Sequence, residues 1–133
     1  MYCIVLYIFL IFTLSIISDI MKLENTKAQM RKGILELCVL SIVSKEEMYP
    51  SDIIKKLKEA KLIVVEGTLY PLLNRLKNAG LLTYNWKESN AGPPRKYYLI
   101  TEIGSTFLGN LMDTWSELNH AVEQSTETLG SKK

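Results

Sequence analysis

Residues 67–82 read GTLYPLLNRLKNAGLL, and how this stretch folds decides what the rest of the chain can be. Glu66, Gly67 and Thr68 open a helix, and Gly80 stands where a left-handed C-cap belongs, so the pattern predicts a helix over 67–79. A helix turns about 100° per residue. With Leu69 set at zero, Leu72, Leu73 and Leu76 fall within about 60° of it, a compact stripe to bury. Tyr70, Asn74, Asn78, Pro71 and Arg75 fall at about 100°, 140°, 180°, 200° and 240°, on the other side. Asn can make two hydrogen bonds to adenine, Arg two to guanine, and Tyr can donate to a phosphate oxygen. The backbone N–H groups at Gly67 and Thr68 also suit an anion. Taken alone, this face equally fits an ordinary solvated amphipathic helix, and the flanking elements have to decide.

Downstream, LLTYNW (81–86) and RKYYLI (95–100) are β-branched and aromatic runs. They are joined by Lys87 to Pro94, a segment holding Ser89, Asn90, Gly92, Pro93 and Pro94, which predicts a hairpin with a long exposed tip. Arg95 and Lys96 begin the second strand, where they can reach a flanking phosphate or the minor groove. Upstream, Thr26-x-x-Gln29 reads as a capping box for a helix of about 27–43, with Met30, Ile34, Leu37, Cys38 and Ile42 as its buried stripe. Ser44 to Glu47 break that helix. Pro50, Ser51 and Asp52 start another, to about Ala60, with Ile53, Ile54 and Leu57 inward and Lys55, Lys56, Lys58 and Lys61 between. Residues 62–65 read as a short strand or an extended connection, and Thr101-Glu102 caps a last helix reaching about Glu127. The expected fold is mainly α with a small β-hairpin wing (α+β), in winged helix-turn-helix order, the third helix entering the major groove.

A chain of 133 residues is one small domain, 47% apolar, with a formal net charge of +2. That charge is a sum of unlike parts. Residues 22–100 hold 14 basic and 8 acidic side chains, whereas residues 101–127 hold five acidic and no basic ones. A basic body supplies the general attraction that DNA binding needs. Residues 1–20 are a separate matter: 16 are apolar and only Asp19 is charged. They read as sequence upstream of a start at Met21, as a membrane anchor oriented by Lys22, Lys27, Arg31 and Lys32, or as a secretory signal lacking a basic n-region. Each reading leaves this extension outside the fold, with a winged-helix domain at 21–100, a pairing helix at 101–128 and a flexible tail at 129–133. Cys3 and Cys38 lack disulfide or zinc-ligand spacing, so a reducing compartment is the default. No paired carboxylates, nucleophile set or phosphate-cradling glycine loop stands at usable spacing, and His120 is the only histidine. No enzyme, metal or cofactor is expected.

GTLYPLLNRLKNAGLL followed by GPPRKYYLITEIG resembles the PadR-like transcriptional regulators. Their recognition helix carries a GTLYP pattern, and their wing ends in a GxxRKYY-type strand that runs into a T-E-x-G helix start. The resemblance spans about Thr26 to Val122 and has no place for residues 1–20. It implies a bacterial, cytoplasmic, homodimeric winged-helix repressor, with Thr68, Tyr70, Asn74, Arg75, Arg95 and Lys96 facing double-stranded DNA.

In the last helix Leu108, Leu111, Trp115, Leu118 and Val122 step by three and four, a seam of just over two heptads. Ile103 and Phe107 are expected to join the body. Such a seam needs its own domain or a second copy of the chain to cover it, and pairing within a compact dimer is the expectation. Trp115, mid-seam, reads as a bulky dimer-core residue or as a platform on which a small planar aromatic effector stacks, a use that the resemblance to PadR-like regulators implies. Cys38 reads as a small core residue and His120 as a surface one. The rival to a DNA-binding regulator is a winged-helix protein-interaction module, tethered to a membrane if residues 1–20 are expressed.

Overall fold

The computed structural model describes residues 1–130. In chain order its elements are α1 (Tyr2–Lys45), α2 (Pro50–Glu59), α3 (Glu66–Asn78), β1 (Leu82–Ser89), β2 (Gly92–Ile100) and α4 (Glu102–Gly130). They form two compact units, Met1–Leu35 and Glu36–Lys133.

The first unit is helical from Tyr2 onward. Thr26 does not cap a helix start there: its hydroxyl donates to the Lys22 carbonyl at 3.0 Å, as Thr13 does to Phe9 at 2.8 Å. A threonine can cap an end or back-bond within a helix, and with the helix continuing on both sides the second use wins. The expected start at residue 27 is therefore corrected, and residues 2–20 belong to α1. Residues 1–20 contain no buried side chain, and α1 includes a window long and apolar enough to cross a membrane.

The core of the second unit is built from Val39, Leu40 and Val43 of α1, Met48, Ile53 and Leu57 of α2 and the turn before it, and Leu69, Leu72, Leu73 and Leu76 of α3. Leu81, Leu82 and Tyr98 complete it. The stripe expected for α1 is displaced: Met30 is 70% exposed, and Leu37, Cys38 and Ile42 are only half-buried. So many apolar residues occur on α1 that periodicity alone does not single out the face that docks. Burial pushes the Cys38 thiol above its ordinary pKa, which keeps it protonated and unreactive near neutrality. Residues 62–65 form no strand. They are an extended connection after Lys61, whose φ of 66° is the left-handed stop of α2.

The hairpin is longer than expected, and the loop over 87–94 is mostly paired. Ser89 faces Gly92 and Lys87 faces Arg95, leaving Asn90 and Ala91 as the turn. Pro93 and Pro94 sit where the register shifts between Lys87 and Ser89, and there their missing N–H groups cost the ladder nothing. At the other end, Met48 and Tyr98 exchange backbone hydrogen bonds of 2.9 and 2.8 Å, bolting the hairpin base to the turn before α2.

Thr101 does cap α4. Its hydroxyl accepts from the Gly104 N–H at 2.9 Å and donates to the Gly80 carbonyl at 2.6 Å, joining α4 to the C-cap of α3. A Thr101→Val variant keeps the shape but loses both bonds, and is expected to be less stable by about 1–3 kcal/mol in chemical denaturation. Unchanged stability would mean that the hydroxyl is not what holds this junction. Ile103 and Phe107 do not join the body, being 68% and 36% exposed. Gly104, which is buried, takes their place, because only a residue without a side chain fits against the Leu81 carbonyl. Past Leu111 every residue through Glu127 is exposed, including Trp115, Leu118 and Val122 at 42%, 56% and 59%. Leu108 and Leu111 are half-buried, whereas Trp115, Leu118 and Val122 are left uncovered. The helix itself runs to Gly130, and residues 131–133 of the expected tail lie outside the described residues.

Candidate nucleic-acid interface

Four leucines of α3 enter the core at 8% exposure or less, which fixes the rotation of the helix about its axis. Thr68, Tyr70, Asn74, Arg75 and Asn78 are consequently held outward, all exposed. The helix starts at Val65 with no side-chain cap, so no side chain satisfies its first N–H groups. The Thr68 N–H bonds back to the Val65 carbonyl at 3.0 Å. Burial first, then the neighbouring Tyr49 and Glu66, raise the pKa of the Tyr70 phenol, so it remains a hydrogen-bond donor through the neutral range. Arg75 is 65% exposed but already partnered: its Nη2 stands 3.2 Å from Oε2 of Glu36 on α1.

The hairpin sorts its side chains by strand alternation. Tyr84 is opposite Tyr98 and Trp86 opposite Lys96, placing these four on one face. Lys87 is opposite Arg95 and Asn85 opposite Tyr97, on the other. Arg95 and Lys96, adjacent in sequence and grouped as one basic edge, are thus not brought together. Lys96 Nζ lies 4.5 Å from the Tyr84 ring centroid and 5.2 Å from that of Trp86. Tyr84 meets Trp86 edge-on at 5.9 Å, and Lys77 of α3 approaches the same Tyr84 ring at 5.8 Å. On the opposite face the Arg95 guanidinium stacks at 4.8 Å on Tyr49, while Lys87 sits 4.9 Å from the Tyr97 ring and pairs with Glu47. Tyr98, between the hairpin and α3, has its phenol pKa raised by burial and by the nearby Tyr84 and Tyr70.

Sequence reasoning missed Lys77, Tyr84 and Trp86 as partners of this surface. One signal was available: Lys77 falls at about 80° on the helical wheel, beside Tyr70. Among the described residues no group of three or more His, Cys, Asp or Glu side chains could hold a metal ion.

Residues 39–110 match the transcriptional regulator PadR-like family, over more than half of the chain. The chain belongs to that family. A PadR-like transcription factor from Bacteroides fragilis is 62% identical, with a TM-score of 0.65 over 75% of this chain and 97% of the other. A PadR-like regulator from Bacillus cereus is 39% identical, with the same TM-score of 0.65 over 72% and 94%. PadR of Bacillus subtilis, solved in complex with operator DNA, shares the fold at 23% identity. Its TM-score is 0.56 over 59% of this chain and 46% of that one. The PadR-like family is one of transcription regulators and not of enzymes. In its terms α2 and α3 are the helix-turn-helix and β1–β2 the wing.

Proposed function

We infer that this PadR-family regulator is a cytoplasmic repressor that binds operator DNA as a homodimer, with α3 in the major groove and the wing on the flanking backbone. One observation carries the reading. The exposed face of α3 presents Tyr70, Asn74 and Arg75, and it lies beside a wing edged with cations. The same fold in Bacillus subtilis PadR is seen with operator DNA, which supports the assignment. Thr68 and Tyr70 take phosphates near the helix start, Asn74 and Arg75 reach base edges, and Arg95 and Lys96 serve the wing, one from each face. Two-fold pairing through the α4 seam of Leu108, Leu111, Trp115, Leu118 and Val122 sets the recognition helices about 34 Å apart, one helical turn of DNA. A planar aromatic effector stacking on Trp115 between protomers would change that spacing and release the operator.

Titration of the protein into labelled duplexes from the region upstream of its own gene tests this. A sequence-selective, salt-sensitive complex is expected. Asn74→Ala should weaken the preferred duplex by about 1–3 kcal/mol while leaving binding to unrelated DNA unchanged. Failure to select any promoter duplex, at every salt concentration tried, would defeat the reading.

A further inference from the structure

Two cations converge on one ring at the junction of α3 and the wing. Lys77 comes from the last turn of α3 and Lys96 from β2, and their ammonium groups lie 5.8 and 4.5 Å from the Tyr84 centroid. The ion pairs among the described residues engage Lys27, Arg75 and Lys87, so neither Lys77 nor Lys96 is neutralised by a carboxylate. Each ammonium group rests against the same ring and keeps N–H donors free for an anion. We propose that Lys77 and Lys96 together hold one backbone phosphate of the bound DNA, with Tyr84 and Trp86 as the positioning residues that aim them. This deepens the DNA-binding reading above and rests on it.

Trp86 is the sharpest part of the case. It is 61% exposed, so its ring adds little to the core, yet it touches Tyr84 edge-on and lies under the Lys96 ammonium. A lysine free in solvent loses much rotamer freedom when it binds a phosphate, and an aromatic face that already holds its cation removes part of that loss. The site also lies on the right path. Lys77 follows Tyr70 and Asn74 around the same flank of α3, and Tyr84 links it to Lys96 on the wing. That line runs from the major-groove helix toward the backbone beside it. On the wing's other face Arg95 lies against the Tyr49 ring and Lys87 pairs with Glu47, so among the described residues no two cations there share one ring without a carboxylate.

Fluorescence anisotropy of a labelled promoter duplex, read across salt concentrations, tests the proposal. Lys77→Ala combined with Lys96→Ala should lower the salt slope by about one for each protomer, and each change should matter less once the other is made. A fall of about two for each protomer, with additive single effects, would mean two separate phosphates and would overturn the shared site. Trp86→Ala should weaken binding about three- to tenfold at an unchanged melting temperature, while Trp86→Tyr retains most of the affinity. If Trp86→Ala binds as well as the unsubstituted protein, the positioning role is wrong. Inorganic phosphate at constant ionic strength should compete no better than chloride. Phosphate-specific competition that the double lysine variant abolishes would assign the site to a free anion instead. Loss of all duplex binding by the unsubstituted protein would remove the DNA reading and this site together. Retained binding with an unmoved slope would remove this site alone.

Discussion

A Gly104→Ala variant is expected to melt well below the unsubstituted protein, although the same change usually strengthens a helix. Alanine in a helix interior normally gains up to about 1 kcal/mol over glycine. Here a Cβ on residue 104 would lie 2.1 Å from the Leu81 carbonyl oxygen and 2.8 Å from Cγ1 of Ile100. The oxygen belongs to the backbone and cannot rotate aside. It also accepts the Thr101 N–H at 3.0 Å, so moving it disturbs the cap as well. Overpacking of this kind costs about 1–3 kcal/mol. For a domain of this size each kcal/mol lowers the melting point by roughly 4–8 °C. Gly109→Ala, five residues further along α4, meets nothing within 4 Å and is the matched control, expected to melt at or above the original. If calorimetry shows Gly104→Ala gaining stability like its control, α4 does not dock on the hairpin this closely.

The second large effect is expected at the α4 seam. If the chain pairs through α4 as proposed, Trp115→Asp combined with Leu118→Asp should turn that dimer into a monomer, because carboxylates would then be desolvated at the centre of a two-fold apolar contact. Central aromatic anchors of interfaces are worth about 2 kcal/mol or more each, so dissociation should strengthen at least several hundred-fold. Both positions are exposed in the protomer, so circular dichroism should show an unchanged fold. Sedimentation equilibrium reads the mass directly, and a variant that still sediments as a dimer would place pairing elsewhere. Operator affinity should fall with the mass, since one half-site then acts alone.

How much of this fold the sequence reveals depends on whether one physical rule acts alone. On α3 it does: four leucines at helical spacing have a single place to go, and Gly80 takes the left-handed conformation that its position implied, with φ of 79°. Thr101 is equally readable, because a capping residue before a helix has one good use. On α1 two rules compete. Threonine can cap or back-bond, and apolar residues on several faces leave the docking face to be chosen by Ile53, Leu57 and Leu73 across the core. The hairpin tip misleads for a related reason, since Pro93 and Pro94 look like a loop until the partner strand's irregularity absorbs them. The aromatic-cation cluster was beyond reach. Its members lie on α3, β1 and β2, and only the packed positions of those elements bring Lys77 to Tyr84. Strand alternation alone separates Arg95 from Lys96, but their adjacency in the motif masks it.

The contact between Arg75 and Glu36 means that one edge of the guanidinium on α3 is already engaged within the protein. Were a base to take the Nη2 edge of Arg75, as proposed, it would compete with that carboxylate and its gain there would be the difference between two bonds, while the other guanidinium donors would stay open to it. For an exposed pair that displacement is small, about 1 kcal/mol or less. It nevertheless sets a threshold: a guanine offering two well-aligned acceptors exceeds it, and a base offering one poor acceptor does not. At the proposed interface, discrimination by the Nη2 edge of Arg75 would therefore be relative, with Glu36, which need never touch DNA, as the reference against which a base there is compared.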